Sequence, residues 1–420
     1  MILLKKNVII IFVFVIIIFY SLPISAYIDN IEVKEVMLSK SATKWIKTIG
    51  GLGSDSCYSV QQTADGGYIV AGGTKSFDNN RDGMLIRLDE FGDILWERTF
   101  GGNSGSDYCN AVRETTDGGF IIAGFTETYG SGNRDAWLFK TDENGKMIWK
   151  KTFGGNENDY GQSVQPTSDG GYMLMGGTSS YGAGDMDFWL IKTDEDGEEQ
   201  WNKTFGGDEF DYGEEGWQTI DDGYILVGYT YSFGAGESDG LLIKTDVNGN
   251  IKWNKTYGGS GDEIANSVEQ TSDDGYIISG GTTSDGDKRF DLWLVKTNTY
   301  GNVSWNRTFN RPLTRNFGWC VRQTNDGGYI VSGSTRGIYT GYSGIGLLTQ
   351  VLLLKLDEYG NAEWQRKSRY KIGIGCKVQQ TVDGGYIIAG YTGSYGRARD
   401  TLLIKTDKDG KPLQKFKFWI

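Results

Sequence analysis

Beyond residue 40 the chain is a succession of short runs in which apolar and polar positions alternate or in which apolar residues stand together. Trp137-Leu138-Phe139-Lys140-Thr141 alternates inward apolar with outward polar residues, and Tyr68-Ile69-Val70-Ala71-Gly72 is apolar throughout. The first pattern marks a half-buried strand and the second a fully buried one. Turn residues separate the runs. Asp65-Gly66-Gly67 joins Ser59-Val60-Gln61-Gln62-Thr63 (strand a) to the run at Tyr68 (strand b). Asp142-Glu143-Asn144-Gly145 joins the run at Trp137 (strand c) to Ile148-Trp149-Lys150-Lys151-Thr152-Phe153 (strand d). Glycine supplies the positive φ of such hairpins, and Asp accepts the free amide protons of the turn.

This four-strand unit repeats. The aromatic after the Asp-Gly-Gly or Asp-Asp-Gly turn recurs at Tyr68, Phe120, Tyr172, Tyr224, Tyr276, Tyr329 and Tyr386, with a period near 52 residues. A tryptophan of strand d recurs independently at Trp45, Trp96, Trp149, Trp201, Trp253, Trp305 and Trp364. Both registers count seven, and seven four-stranded antiparallel units of this size predict an all-β, seven-bladed propeller. Trp45 stands ahead of the first strand a, so residues 43–49 are expected to close the ring as strand d of the last blade. Lys411 to Ile420 competes for that place, with Gln414 where the tryptophan is expected.

The Tyr68-Ile69-Val70-Ala71-Gly72-Gly73 stretch, followed by strand c and a Trp-bearing strand d, resembles the kelch repeat. Asp142-x-x-Gly145-x-x-x-Trp149 is similar to the tryptophan-docking motif of quinoprotein repeats, and that resemblance implies Trp side chains stacked between blades. The chain as a whole resembles secreted prokaryotic propeller-repeat proteins, which implies architecture without assigned chemistry. Quinoprotein enzymes pair adjacent cysteines with their cofactor. No Cys-Cys pair occurs here, and no cofactor is expected.

Composition narrows the function. The chain holds 63 Gly, 13 Trp, 24 Tyr and no His among 420 residues, so histidine-based triads and metal sites are excluded. The net charge of −12 argues against a nucleic-acid partner. Lys5-Lys6, the apolar run from Val8 to Tyr20 and Ile24-Ser25-Ala26 predict a signal peptide over 1–26, with an uncleaved anchor as the rival reading. A linker over 27–42 and a single propeller domain over 43–420 follow, with no later membrane span, in a secreted or cell-surface protein expected to be monomeric.

Residues repeated in every unit are read as structural. These include the turn acids Asp65, Asp117 and Asp169 and the acids before strand c, Asp82, Asp135, Asp187, Asp239, Asp291 and Asp400, although a rim of carboxylates could hold a divalent cation weakly. Function is expected on the face that carries the longer, more varied b–c and d–a loops. There Phe77, Tyr129, Tyr181, Phe233 and Tyr395 share one loop position, beside Asp55, Asp107, Asp159 and Asp211. Such rings either bind a glycan or protein ligand or plug the gaps between blades.

Residues 305–377 hold 11 Lys and Arg against 4 acids. Arg311, Arg315 and Arg336 on the loop face, with Arg322 in strand a, therefore form a candidate anion-binding sector, Arg336 opening an enlarged b–c loop. Cys57, Cys109, Cys320 and Cys376 all lie near the start of a strand a, and two disulfides, Cys57–Cys109 and Cys320–Cys376, compete with buried free thiols. A non-enzymatic binding propeller is the favoured reading. The alternative is a propeller enzyme, acting on carbohydrate or using a quinone, in which Glu214 and Glu215 are the acids peculiar to one unit.

Overall fold

The computed structural model describes residues 44–76, 80–284, 289–309, 314–341, 344–368, 373–392 and 398–412. The segments assigned from sequence as signal peptide and linker lie outside these residues, as do Phe77, Arg311, Tyr395 and the tail after Pro412. The described residues contain no helix. Their strands form seven four-stranded antiparallel sheets arranged as the blades of a propeller.

Blade 1 is built from Ser56–Gln62, Tyr68–Thr74, Asp82–Leu88 and Ile94–Phe100, strands a to d from the axis outward. Strands a of blades 2 to 6 are Asp107–Glu114, Asp159–Pro166, Asp211–Gln218, Glu263–Gln270 and Thr314–Gln323, and that of blade 7 is Gly373–Gln380. Blade 7 takes its outer strand from the other end of the chain. Trp45–Ile49 pairs with Thr401–Thr406, Trp45 opposite Lys405 and Ile49 opposite Thr401, which is the closure anticipated from the position of Trp45. Lys44 also pairs with Asp407.

Three repeated contacts hold the ring. Within each blade a cation of strand c reaches the a–b turn acid: Arg87 with Asp65, Lys140 with Asp117, Lys192 with Asp169, Lys244 with Asp221, Lys296 with Asp273, Lys355 with Asp326 and Lys405 with Asp383. These acids are structural, as their recurrence implies. Between blades, the strand d tryptophan seats on the c–d turn glycine of the next blade. Gly197 shows why only glycine serves: its φ is +77°, and a Cβ there would lie 2.6 Å from the Trp149 ring. The same seam joins Trp45 to Gly92 across the closure. Third, the last residue of strand a staples the preceding blade. The Val382 amide donates to Gln62 Oε1 at 3.0 Å, Ser168 to Gln218 at 2.8 Å and Ile220 to Gln270 at 3.0 Å.

Blade 6 departs from the repeat. Its extra residues form no enlarged loop, because strands b and c lengthen into a hairpin, Tyr329–Gly341 with Gly344–Leu356, that continues the ladder to Gly341 opposite Gly344. Arg336 therefore lies within strand b, opposite Arg315.

Candidate functional site

Every strand a carries a β-bulge at one place in the repeat. The pairing skips one residue between Cys57 and Ser59, Cys109 and Ala111, Gly161 and Ser163, Gly213 and Glu215, Ala265 and Ser267, Gly318 and Cys320, and Gly375 and Lys377. A bulged residue is freed from the ladder and re-aimed. Here the skipped residues are Tyr58, Asn110, Gln162, Glu214, Asn266, Trp319 and Cys376, and all seven line one axial chamber of about 690 Å³. This ring holds a different chemistry in nearly every blade.

An aromatic wall surrounds the ring toward the b–c and d–a loop face. Tyr391, Tyr58, Tyr108, Phe125, Tyr160, Tyr212 and Tyr229 follow one another with centroids 4.5 to 6.5 Å apart, through blades 7, 1, 2, 3 and 4. Arginines stand on this wall: Arg399 over Tyr391 at 4.9 Å, Arg81 over Tyr108 at 5.3 Å and Arg134 over Phe125 at 5.3 Å. Arg134 also donates to the Tyr160 hydroxyl at 2.9 Å and pairs with Glu127. Sequence reasoning missed the wall because its residues sit inside or beside strands a and b, whereas function was sought in the loops.

The chamber floor is an ion cluster that crosses the axis. Glu215 of blade 4 accepts from Lys377 of blade 7 at 2.8 Å and from Arg322 of blade 6 at 2.7 Å. Its other oxygen accepts from Ser267 Oγ at 2.7 Å and the Val268 amide at 3.1 Å. Burial opposes charge on Glu215, yet Arg322 and Lys377 hold its carboxyl well below the usual carboxylate range. Glu214 beside it behaves oppositely. Burial, with a smaller push from Glu215, raises it to about 7 against the pull of Lys377. One of the two adjacent acids is thus fixed as an anion, while its neighbour changes charge near neutrality.

The other residues singled out from sequence are placed as follows. Arg322 does point into the channel, but its guanidinium is committed to Glu215. Arg315 and Arg336 sit opposite one another on adjacent strands of blade 6, away from the chamber lining. The Tyr129 hydroxyl donates to Gly101 O at 2.7 Å and that of Tyr181 to Gly154 O at 2.9 Å, so both rings close interblade gaps, with Tyr181 and Phe233 each 46% exposed. Asp55, Asp107, Asp159 and Asp211 are buried and hold loop amides and hydroxyls, as where Thr128 donates to Asp107 at 2.7 Å.

Of the two readings of the cysteines, disulfides or free thiols, the structure has free thiols at all four positions. Cys57 and Cys109 lie in separate interblade cores, and Cys320 lies in a third while Cys376, on the bulge, faces the chamber. Among the described residues no group of three or more metal-ligating side chains occurs. No helix there is long and apolar enough to cross a membrane.

No protein-family model matches the chain, and no curated protein matches it in sequence. Solved structures do match in fold. A YCF48 structure with a D1 peptide bound is similar with a TM-score of 0.50 and 9% identity over 88% of this chain and 96% of that one. A polysaccharide lyase PL25 ulvan lyase bound to -[GlcA(1-4)Rha3S]- gives 0.51 and 10% over 86% and 96%. The Pan2 WD40 domain of Neurospora crassa gives 0.48 and 10% over 88% and 97%. At these identities the likeness is one of propeller fold alone.

Proposed function

We propose that the protein is an exported binding propeller whose ligand, a carbohydrate, seats in the axial chamber on the b–c and d–a loop face. The observation that carries this reading is that the seven bulge residues, with a different side chain in nearly every blade, all line one chamber. Asn110, Gln162, Asn266 and Glu214 offer amide and carboxyl groups suited to hydroxyls, and the tyrosine wall offers faces for sugar rings. Arg399, Arg81 and Arg134 at the wall, with Lys377 below, favour a saccharide that bears acidic groups. The sequence-derived preference for Arg315 and Arg336 gives way to this arc. The fold is known to hold both kinds of ligand first considered, since the YCF48 neighbour carries a peptide and the ulvan lyase a saccharide. Export rests on the reading of Lys5-Lys6 and the apolar run from Val8 to Tyr20 as a signal peptide.

The test is calorimetric titration of neutral and acidic oligosaccharides into wild type, a Tyr58→Ala, Asn110→Ala variant and an Arg315→Ala, Arg336→Ala variant. The chamber variant should lose tenfold or more in affinity and the blade 6 variant almost none. Unchanged binding by the chamber variant would discard the proposal.

A second reading, a carbohydrate-cleaving enzyme, draws on Glu214, whose proton is exchangeable near pH 7. Glu214→Gln would then abolish turnover of a bound saccharide without abolishing its binding.

A further inference from the structure

Below the Glu215 cluster lies a second chamber of about 270 Å³, toward the a–b turn face. Lys377 lines both chambers, so the ion cluster is the partition between them. Three residues past each bulge the strands contribute another ring, Gln61, Arg113, Gln165, Trp217, Glu269, Arg322 and Gln379. Most of its members are spent on the fold. Gln61 accepts from the Glu114 amide at 2.8 Å, Gln379 from the Gln62 amide at 2.7 Å, and Glu269 from the Gln323 amide.

Arg113 is the exception. Its counterpart in the next blade is Pro166, which has no N–H for an acceptor at this position to receive. Its guanidinium donates to Val112 O at 2.8 Å, and with the Gln165 amide turned oxygen-inward it donates from Nε and Nη2 at 3.2 and 3.1 Å. These acceptors are neutral, and among the described residues no carboxylate forms an ion pair with it. Arg113 and Arg322 both stand over the Trp217 ring, at 5.2 and 4.9 Å. Burial and the nearby Arg322 pull Arg113 down to about 10, against the attraction of Glu215. Arg322 is neutralised by Glu215. Glu269 is pushed up by burial and engaged with Gln323, and Glu114 holds the Ala64 amide. A partly buried cation without an anion is costly, and a guanidinium is suited to two-pronged recognition of an oxyanion.

We propose that the lower chamber is a binding site for a small oxyanion, a carboxylate, sulfate or phosphate group, anchored by Arg113 beside Trp217. Gln61, Gln165 and Gln379 line the same space and give the remaining oxygens amide neighbours. The site faces away from the saccharide chamber and stands whether or not that chamber binds sugar.

The test is titration of wild type with millimolar sodium sulfate, inorganic phosphate and acetate, at constant ionic strength set with chloride. Binding is read by calorimetry and by tryptophan fluorescence. A saturable signal is expected for at least one anion, reduced tenfold or more in Arg113→Gln and unchanged in Arg307→Gln, an exposed arginine on an outer strand. Should Arg113→Gln not fold, Trp217→Phe serves: calorimetric binding should persist while the fluorescence change disappears. No saturable binding of any anion to wild type would overturn the proposal. So would equal binding by Arg113→Gln, or a fluorescence change that survives in Trp217→Phe.

Discussion

Glu215→Gln is the most informative single change, because it removes the one anion that holds two cations from the far side of the ring. Glu215 is 1% exposed, and its partners Arg322 and Lys377 are 11% and 22% exposed. Removing one member of a buried ion cluster leaves its partners uncompensated and costs about 3–5 kcal/mol. A propeller of about 370 residues has an unfolding entropy of roughly 0.8 kcal/mol/K, so the melting temperature should fall by about 4–6 °C at pH 7. The pH dependence follows from direction. The folded-state carboxyl is held below its unfolded value of about 4.3, so its contribution is full above that pH and is lost as pH falls toward the folded value. The gap between wild type and variant in scanning calorimetry should therefore be constant from pH 7 to about 5 and shrink below about 4. Replacing Glu215, Arg322 and Lys377 together by Met should restore most of the loss, since no charge is left stranded. A fall under about 1 °C for Glu215→Gln would refute the reasoning, showing the cluster to be solvated and the two chambers continuous.

Three further outcomes are expected. Trp149→Ala should cost about 3 kcal/mol or somewhat more, because the ring is both packed near Tyr172 at 5.9 Å and seated on Gly197, whereas Tyr181→Ala should cost less than about 1 kcal/mol; chemical denaturation of both variants distinguishes them. Thiol titration of the denatured protein without reductant should count four free thiols, and in the folded protein Cys376 should react before the buried Cys57, Cys109 and Cys320. Glu214→Gln should match wild type in stability at pH 4 and exceed it at pH 8. A carboxyl raised to about 7 in the fold favours the folded state only while protonated, so wild type loses stability as pH climbs from about 4.3 to about 7; equal melting temperatures at pH 8 would contradict the assignment.

The ring, the blade count and the closing strand were legible because each rests on a residue type repeated in every unit: the turn Gly, the aromatic that follows the a–b turn and the strand d Trp. The site was not legible for the complementary reason. Strict alternation along strand a gives Asp107, Cys109 and Ala111 one face and Tyr108 and Asn110 the other, and nothing in the alphabet of the repeat announces that Asn110 is skipped in the pairing. Only when Val60, Val112, Val164, Val268, Val321 and Val378 are aligned with the pairing does the position two before them emerge as the skipped one. Gly216 breaks that register in blade 4, where Glu214 and Glu215 still stood out as acids without counterparts. Net charge along the sequence put the candidate anion sector at residues 305–377, and it could not reveal that the ring brings Arg399, Arg81 and Arg134 to one aromatic wall from opposite ends of the chain.

The bulge also explains how a repetitive chain can vary one position of strand a while its turns and outer strands stay constant. Ladder bonds, turn ion pairs and tryptophan seams all lie outward of it, so the skipped residue can change without disturbing any of them. Positions just past the bulge are less free, because they face one another across the axis. Glu215 in blade 4 is answered by Lys377 in blade 7 and Arg322 in blade 6, and Arg113 in blade 2 meets Trp217 in blade 4. Their effects are therefore coupled between blades distant in sequence, as expected for charges sharing one network. A substitution at Asn110 or Gln162 gives up one hydrogen bond to the next blade, to Gly161 O or to the Tyr212 hydroxyl, whereas one at Glu215 or Arg322 strands a charge unless its partner in another blade changes with it.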